Sequence, residues 1–153
     1  MKKLIASPLA ILALLWASLA QAESLRVDTH WLSQNLYKPD LVIVDTRPFE
    51  QYEDGHITGA VSLPDNLTYQ HKEQSGLIVE PDIIQDILRE RGIDTEDFVV
   101  VYDDGSLVDA ARVFWTLEVY GIKQVRVLNG GFADWEASDL PVTQDVPETG
   151  ISD

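Results

Sequence analysis

The run Phe98-Val99-Val100-Val101-Tyr102 is followed at once by Asp103-Asp104-Gly105 and then by a long apolar segment over residues 107–120. Five apolar residues without alternation are typical of a strand that is buried on both faces. The segment after the polar loop has helical apolar spacing and stops at Gly121. This order of strand, loop and helix predicts a parallel sheet with helices packed on both faces.

Other parts of the chain repeat this alternation. Strands are predicted over residues 41–44, 60–63 and 125–128. Asp28 is placed to cap one helix, and another is expected to begin at Pro81 and to end at Gly92. Since ligands bind beyond the carboxyl ends of the strands in such sheets, the polar residues after Val44, Tyr102 and Leu128 are the places where a site is expected.

Composition excludes several classes of function. The 153 residues suit one domain, and 26 acidic against 11 basic side chains give a net charge of −15. A surface this negative repels phosphate backbones, so no nucleic acid is expected as a partner. The sequence has no cysteine, which excludes disulfides, zinc–thiolate sites and thiol nucleophiles within this chain. No cofactor is expected either.

Both ends of the chain differ in character from the middle. Residues 1–22 have a charged start at Lys2 and Lys3, a short apolar centre and a final Ala20-Gln21-Ala22, as in a secretory signal peptide. An uncleaved membrane anchor is the alternative. Cleavage predicts an exported protein, expected in the periplasm and not held at a membrane, with its domain over residues 23–142. Residues 143–153 are predicted to form a linker-like acidic tail.

Two motifs carry a family resemblance. Asp45 and Arg47 precede Gly55-His56-Ile57-Thr58-Gly59-Ala60, and Leu128-Asn129-Gly130-Gly131 precedes Trp135. The first stretch resembles the D-x-R…G-H-I-x-G-A signature of the rhodanese (sulfurtransferase) family. The second is similar to its L-D-G-G-x-x-x-W, with Asn129 in place of the usual Asp. The resemblance covers about residues 25–142, and it implies a single α/β domain with five parallel strands and helices on both faces.

The same resemblance implies a catalytic cysteine directly after the strand at residues 98–102. This chain has an aspartate there, so the loop Asp103, Asp104, Gly105, Ser106, Leu107 and Val108 is a degenerate active-site loop. We therefore predict no catalytic residue. The form Asp-Asp-Gly…Ala-Ala-Arg looks most like the non-catalytic amino-terminal domain of two-domain rhodaneses, whose second domain carries the cysteine.

Sulfur transfer needs a soft nucleophile that takes up sulfane sulfur as a persulfide and passes it on. The hard oxygens of Asp103 form no such bond. The main hypothesis is therefore an exported rhodanese-like domain that is inactive alone and binds or supports a catalytic rhodanese domain on another chain. The alternative is a thiosulfate sulfurtransferase that is active only with a partner's cysteine. A phosphoacceptor role for Asp103 is disfavoured, because no lysine follows the strand at residues 125–128.

Each candidate residue also has a structural interpretation. Asp103 and Asp104 are expected to cap the following helix rather than to perform acid–base chemistry. For Arg47, a structural ion pair is favoured over anion binding. His56 is expected to be structural, since it, His30 and His71 lack metal-ligand spacing, and no metal is predicted.

Two structural questions stay open at this stage. Gly130 and Gly131 fit either a tight strand-to-helix turn or an anion cradle. The stripe Val108, Trp115 and Val119 is expected to be core, with contact to a partner domain as the alternative.

Overall fold

The computed structural model describes residues 24–70 and 76–148. Strands and helices alternate along most of the chain. The strands are β1 (Arg26–Val27), β2 (Leu41–Asp45), β3 (His56–Ile57), β4 (Ala60–Ser62), β5 (Phe98–Tyr102), β6 (Gln124–Leu128) and β7 (Val142–Thr143). The helices are α1 (Thr29–Asn35), α2 (Phe49–Asp54), α3 (Pro81–Glu90), α4 (Val108–Val119) and α5 (Gly131–Ala137), with a short 3₁₀ turn at Asp65–Thr68.

Five strands form one parallel sheet in the order β1-β6-β5-β2-β4. β5 is the central strand and pairs along its length with β2 on one side and β6 on the other. The carboxyl ends of these strands therefore meet at one edge of the sheet. The predicted fold class is confirmed, and so are the strands expected near residues 41–44, 60–63, 98–102 and 125–128.

Alternate residues of the central strands contribute to two separate buried apolar clusters, one on each face of the sheet. On one face Val99 and Val101 of β5 pack with α3 and α4, and on the other face Val100 packs with α1 and α5. Because β5 is apolar on both faces, it lies between the two layers of helices and fixes the position of the loop that follows it. Asp28 caps α1 as predicted, accepting a hydrogen bond from the Trp31 N–H at 2.7 Å.

The strands at residues 26–27, 56–57 and 142–143 were not located from the sequence. β7 pairs with β3 in an antiparallel two-residue ladder outside the main sheet. Beyond it the Gln144 side chain donates to the Asp54 carbonyl at 3.1 Å. Residues 143–148, the described part of the predicted tail, thus follow the surface of the domain. The predicted signal peptide, residues 1–22, lies outside the described residues, and none of the described helices is long and apolar enough to cross a membrane.

The expectation that Val108, Trp115 and Val119 belong to the core is wrong. Their exposures are 69%, 46% and 51%. Helix α4 instead turns Ala110 and Leu117 toward the sheet, and both are fully buried. Since one side of a helix faces the sheet, the second apolar stripe lies on the outside, where no other described element covers it.

Candidate functional site

The loop after β5 is organised around the Asp103 carboxylate, which is 1% exposed. Its Oδ1 accepts the Gly105 N–H at 2.9 Å, and its Oδ2 accepts the Ser106 hydroxyl and the Ala110 N–H, both at 3.3 Å. Ala110 lies in the first turn of α4, so one of these donors is a helix N-terminal N–H. The carboxylate thus takes the place of a bound anion, held by the loop and the helix end.

The backbone between Asp103 and α4 takes an uncommon conformation. Leu107 precedes the helix with φ 67° and ψ 7°, in the left-handed region that side chains other than glycine rarely adopt. Asp104 is exposed, and its Oδ1 accepts the Ser106 N–H at 2.8 Å. The backbone N–H and the hydroxyl of Ser106 lower the pKa of Asp104. Asp103 thus accepts a helix N–H, as its predicted capping role requires, whereas the partner of Asp104 is Ser106, which precedes the helix.

Gly130 and Gly131 bring β6 and α5 against this loop. The Phe132 N–H donates to the Asp103 carbonyl at 2.8 Å. A Cβ atom on Gly131 would lie 2.5 Å from the Gly105 nitrogen and 2.6 Å from the Asp103 carbonyl oxygen. Both glycines have positive φ, 77° and 56°. A tight turn with close backbone contact accounts for the pair.

Asp45 and Arg47, at the end of β2, form a buried ion pair. The Arg47 Nη2 lies 2.6 Å from Asp45 Oδ2 and also donates to the Gly55 carbonyl at 2.7 Å. Burial acts to lower the pKa of Arg47, but its hydrogen bonds and attraction to Asp45 outweigh that effect and raise it. The Arg47 guanidinium is also 3.8 Å from the centroid of the Phe132 ring. This ion pair joins β2, the start of β3 and α5.

Tyr102, the last residue of β5, completes that network. Its hydroxyl donates to Asp45 Oδ2 at 2.6 Å and accepts the Ile57 N–H at 3.1 Å. Burial, followed by repulsion from the Asp45 carboxylate, raises the pKa of Tyr102 well above its usual value. The same two causes raise the pKa of Tyr52 to about 12. Both phenols are therefore neutral hydrogen-bonding groups, and neither is available as a base near neutral pH.

His56 is fully buried behind this network. Its ring stacks on Tyr52, with centroids 3.8 Å apart and an interplanar angle of 6°. Nδ1 lies 2.8 Å from the Tyr52 carbonyl and Nε2 lies 3.2 Å from the Asp145 carbonyl. No group of three metal-binding side chains occurs within residues 24–70 and 76–148. His56 is thus placed as a packing and hydrogen-bonding residue.

Further carboxylates surround the opening of the loop. Burial raises the pKa of Asp109, and repulsion from Asp65, Asp103 and Asp104 adds to it. These carboxylates would repel an anion that approached the loop. The loop and the start of α4 therefore provide N–H donors that suit an anion, while the carboxylates of Asp65, Asp104 and Asp109 repel one.

Comparison with known proteins now identifies the family. The rhodanese-like domain matches residues 28–138, which cover the sheet, the loop and both motifs. The chain belongs to the rhodanese-like family. Among its curated relatives, 3-mercaptopyruvate sulfurtransferase of Escherichia coli is 30% identical over 125 residues, which are 74% of this chain and 44% of that protein. The mitochondrial thiosulfate/3-mercaptopyruvate sulfurtransferase 1 of Arabidopsis thaliana is 32% identical over 126 residues, 76% of this chain and 33% of that protein.

A solved structure agrees with these relatives. The crystal structure of SseA from Escherichia coli, described as a 3-mercaptopyruvate sulfotransferase with the rhodanese fold, superposes with a TM-score of 0.77. The two are 27% identical, and the match covers 84% of this chain and 55% of that one. This rhodanese-like chain thus spans less than half the length of the curated relatives given above.

The predicted site residues fall into two neighbouring groups. Asp45, Arg47, Gly55 and His56 of the first signature lie in or behind the buried network, while Gly59 is exposed. The degenerate loop and the glycine pair pack against each other beside it. Sequence reasoning missed Phe132 and the bridging role of Tyr102. A phenol at the end of an otherwise aliphatic buried strand is a usable signal for the latter, since a buried Tyr hydroxyl needs a partner.

Proposed function

We propose that this rhodanese-like domain is inactive alone and serves as the structural or binding half of a sulfurtransferase whose cysteine lies on another domain. The observation that carries the proposal is Asp103, which stands where the sulfur-accepting thiolate would lie and accepts the donors of the loop. A carboxylate there is already a satisfied anion and cannot form an exchangeable bond to sulfane sulfur.

Helix α4 offers the surface for such a partner. Trp115 and Val119 lie two and three turns beyond Val108 on the same side of the helix, and all three are about half-exposed or more. Arg112 lies beside them, its guanidinium 5.1 Å from the Trp115 ring centroid. Aromatic and Arg side chains are the groups that anchor protein interfaces most often. Because Val108 also ends the degenerate loop, a partner on this stripe would lie next to the site.

A second copy of the chain fits the stripe less well. In an antiparallel pair of α4 helices centred on the stripe, Asp109 of one copy would face Glu118 of the other. Like charges in that position disfavour the contact, and the net charge of −15 on each copy increases the repulsion. A cysteine-bearing rhodanese domain is therefore the partner that we propose.

The alternative is a composite thiosulfate sulfurtransferase, in which this chain supplies part of the active site and the partner supplies the thiolate. Its relatives favour this version, because they are named for sulfur transfer from thiosulfate or 3-mercaptopyruvate. The two versions differ in whether the partner's turnover needs this chain. Export to the periplasm is part of both proposals and rests on the signal-like residues 1–22.

The first test is an assay of the purified chain with thiosulfate or 3-mercaptopyruvate as donor and cyanide as acceptor. We expect no turnover above a control without protein. Turnover in a preparation shown by mass spectrometry to hold no other sulfurtransferase would contradict the proposal.

The second test mixes the chain with each full-length, cysteine-bearing rhodanese-like protein encoded in the same genome and measures binding by calorimetry. Trp115→Ser should weaken binding at least about ten-fold, as expected for an aromatic anchor that becomes buried in the complex. Ile83→Ser is the matched control, since Ile83 is 49% exposed on α3, away from the stripe. A partner rate that rises on mixing favours the composite enzyme, and binding at an unchanged rate favours the structural role.

A further inference from the structure

The structure surrounds the buried imidazole of His56 with two hydrogen-bond acceptors. Nδ1 lies 2.8 Å from the Tyr52 carbonyl oxygen, and Nε2 lies 3.2 Å from the Asp145 carbonyl oxygen. A neutral imidazole has one N–H donor, and only an imidazolium has two. In the neutral ring one carbonyl oxygen therefore faces a lone pair. His56 is fully buried, so solvent does not reach the ring itself.

One of these acceptors belongs to the C-terminal strap, which we define as residues 141–148. Its first residues are held by groups that do not titrate near neutral pH. The Trp135 indole N–H and the Thr58 N–H both donate to the Pro141 carbonyl, at 3.0 and 3.4 Å. Val142–Thr143 pairs with β3. Farther along the strap, the described contacts are the Gln144 bond to the Asp54 carbonyl and the His56 contact to Asp145.

We propose that His56 is a pH-sensitive latch that holds the C-terminal strap to the domain when the imidazole is protonated and releases its outer part, residues 144–148, when it is neutral. Protonation gives Nε2 a hydrogen to donate to Asp145, and deprotonation leaves two electron-rich atoms in contact. One hydrogen bond gained in this way corresponds to about a ten-fold change in the equilibrium between the attached and detached strap.

The charged groups on the elements around the ring are mostly acidic. The elements packed against β3 are β2, α2, α5 and β7. Asp45 and Arg47 form a neutral pair, and the other charged groups on these elements and the strap are the carboxylates Glu50, Glu53, Asp54, Asp134, Glu136, Asp145 and Glu148. Apart from the paired Arg47, these groups are acidic. Carboxylates ordinarily titrate below pH 5, whereas imidazoles ordinarily titrate between pH 5 and 8.

Release of the strap would open a cavity beneath it. Val146 and Pro147 form one wall of a cavity of about 240 Å³, and Tyr52, which stacks on His56, and Ser62 form part of the other side. The Ser62 hydroxyl is buried and has no hydrogen-bond partner within the described residues.

The test is hydrogen exchange of the full chain at pH 5.5 and pH 7.5, with rates corrected for the intrinsic effect of pH. Protection of the amides of residues 144–148 should be about ten-fold higher at pH 5.5, while protection of α3 should be unchanged. An equal change in the strap and in α3 would mean that pH acts on global stability, and no change in the strap would mean that no latch exists. Either result overturns the proposal.

Two variants assign the effect. His56→Gln should abolish the pH dependence, and pH dependence that persists in it refutes the role of His56. Gln144→Ala is the matched control: it removes a contact that does not titrate, so it should lower protection at both pH values and leave their ratio intact. If His56→Gln does not fold, the ¹⁵N resonances of the His56 ring in the unaltered chain decide. The change in strap protection should follow the loss of the second ring proton, and a change at a different pH refutes the latch.

Discussion

Asp103→Cys tests whether the loop is a preserved anion site that lacks only its nucleophile. The sulfur would lie near the donors that now hold the carboxylate, the Gly105 N–H at 2.9 Å and the Ala110 N–H at 3.3 Å. Hydrogen bonds from backbone donors at a helix N-terminus stabilise a thiolate relative to a thiol. We therefore expect the new cysteine to have a pKa below that of an ordinary thiol.

The size of the shift follows from two opposing effects. Helix N-termini and nearby cations bring cysteine pKa values from about 8.5 to about 3.5–7.5. Here Asp104 and Asp109 lie close to position 103, and burial together with repulsion from Asp65, Asp103 and Asp104 raises the pKa of Asp109. We expect a thiol pKa near 7.5, a net stabilisation of the thiolate of about 1.4 kcal/mol. At pH 7 about a quarter of the thiol is then ionised, against about 3% for an ordinary cysteine.

Two measurements follow from this value. The rate of reaction with neutral iodoacetamide, measured from pH 5 to pH 10, gives the thiol pKa directly. Incubation with thiosulfate should then add one sulfur, about 32 Da in the intact mass, as the thiolate attacks the sulfane sulfur and sulfite leaves. Loading should be slow because thiosulfate is a dianion approaching an acidic loop. Asp103→Ser is the control, since it has no thiol and should gain no mass.

The refuting result is an ordinary thiol. If the folded Asp103→Cys protein alkylates with a pKa of about 8.5, the loop donors do not stabilise an anion at position 103. The double variant Asp103→Cys with Asp104→Asn separates the causes. If it reacts with a lowered pKa, acidic repulsion had masked an intact site, whereas an ordinary pKa there too means that the site is not preserved.

Further predictions concern the surrounding structure. Gly131→Ala should lower the free energy of unfolding by more than about 3 kcal/mol, since its Cβ would meet backbone atoms at 2.5–2.6 Å. Gly59→Ala, at φ 83° with nothing within 4 Å, should lower it by only about 1–2 kcal/mol. Urea unfolding of the two variants measures the difference. Arg47→Met should cost about 3–5 kcal/mol because it leaves Asp45 charged, buried and unpaired; an unchanged urea midpoint would contradict this. The raised pKa of Tyr52, about 12 against 10 when unfolded, adds stability below pH 10 that is lost between pH 10 and 12, about 2–3 kcal/mol in all; a flat unfolding free energy over that range would disprove it.

The strands of the sheet were largely predictable because buried strands consist of uninterrupted apolar residues. Residues 98–102 are apolar without interruption, and a strand covered on both faces needs that pattern. β1 gave no such signal. It has two residues, of which Arg26 is exposed, and it is held by pairing with β6. A strand of this length is specified by its neighbour rather than by its own residues.

The candidate site was predictable in position but not in all its contacts. The loop follows β5, and any sheet of this kind places it at the carboxyl edge. Which stripe of α4 faces the sheet was not predictable, since apolar residues occupy two adjacent stripes and the choice depends on packing against β5. The stacking of Phe132 on Arg47 joins residues far apart in sequence, and neither residue type alone indicates it.

The central position of β5 has a consequence for the unfolded chain. Its five residues, rich in valine and without charge, have the composition of segments that assemble into intermolecular β-structure when exposed. Asp97 precedes them and Asp103 and Asp104 follow, so the segment is bracketed by negative charge on both sides. Such flanking charges act as gatekeepers that oppose stacking of like segments from different chains. The same two carboxylates that occupy the loop in the folded protein thus restrain aggregation before the sheet has formed.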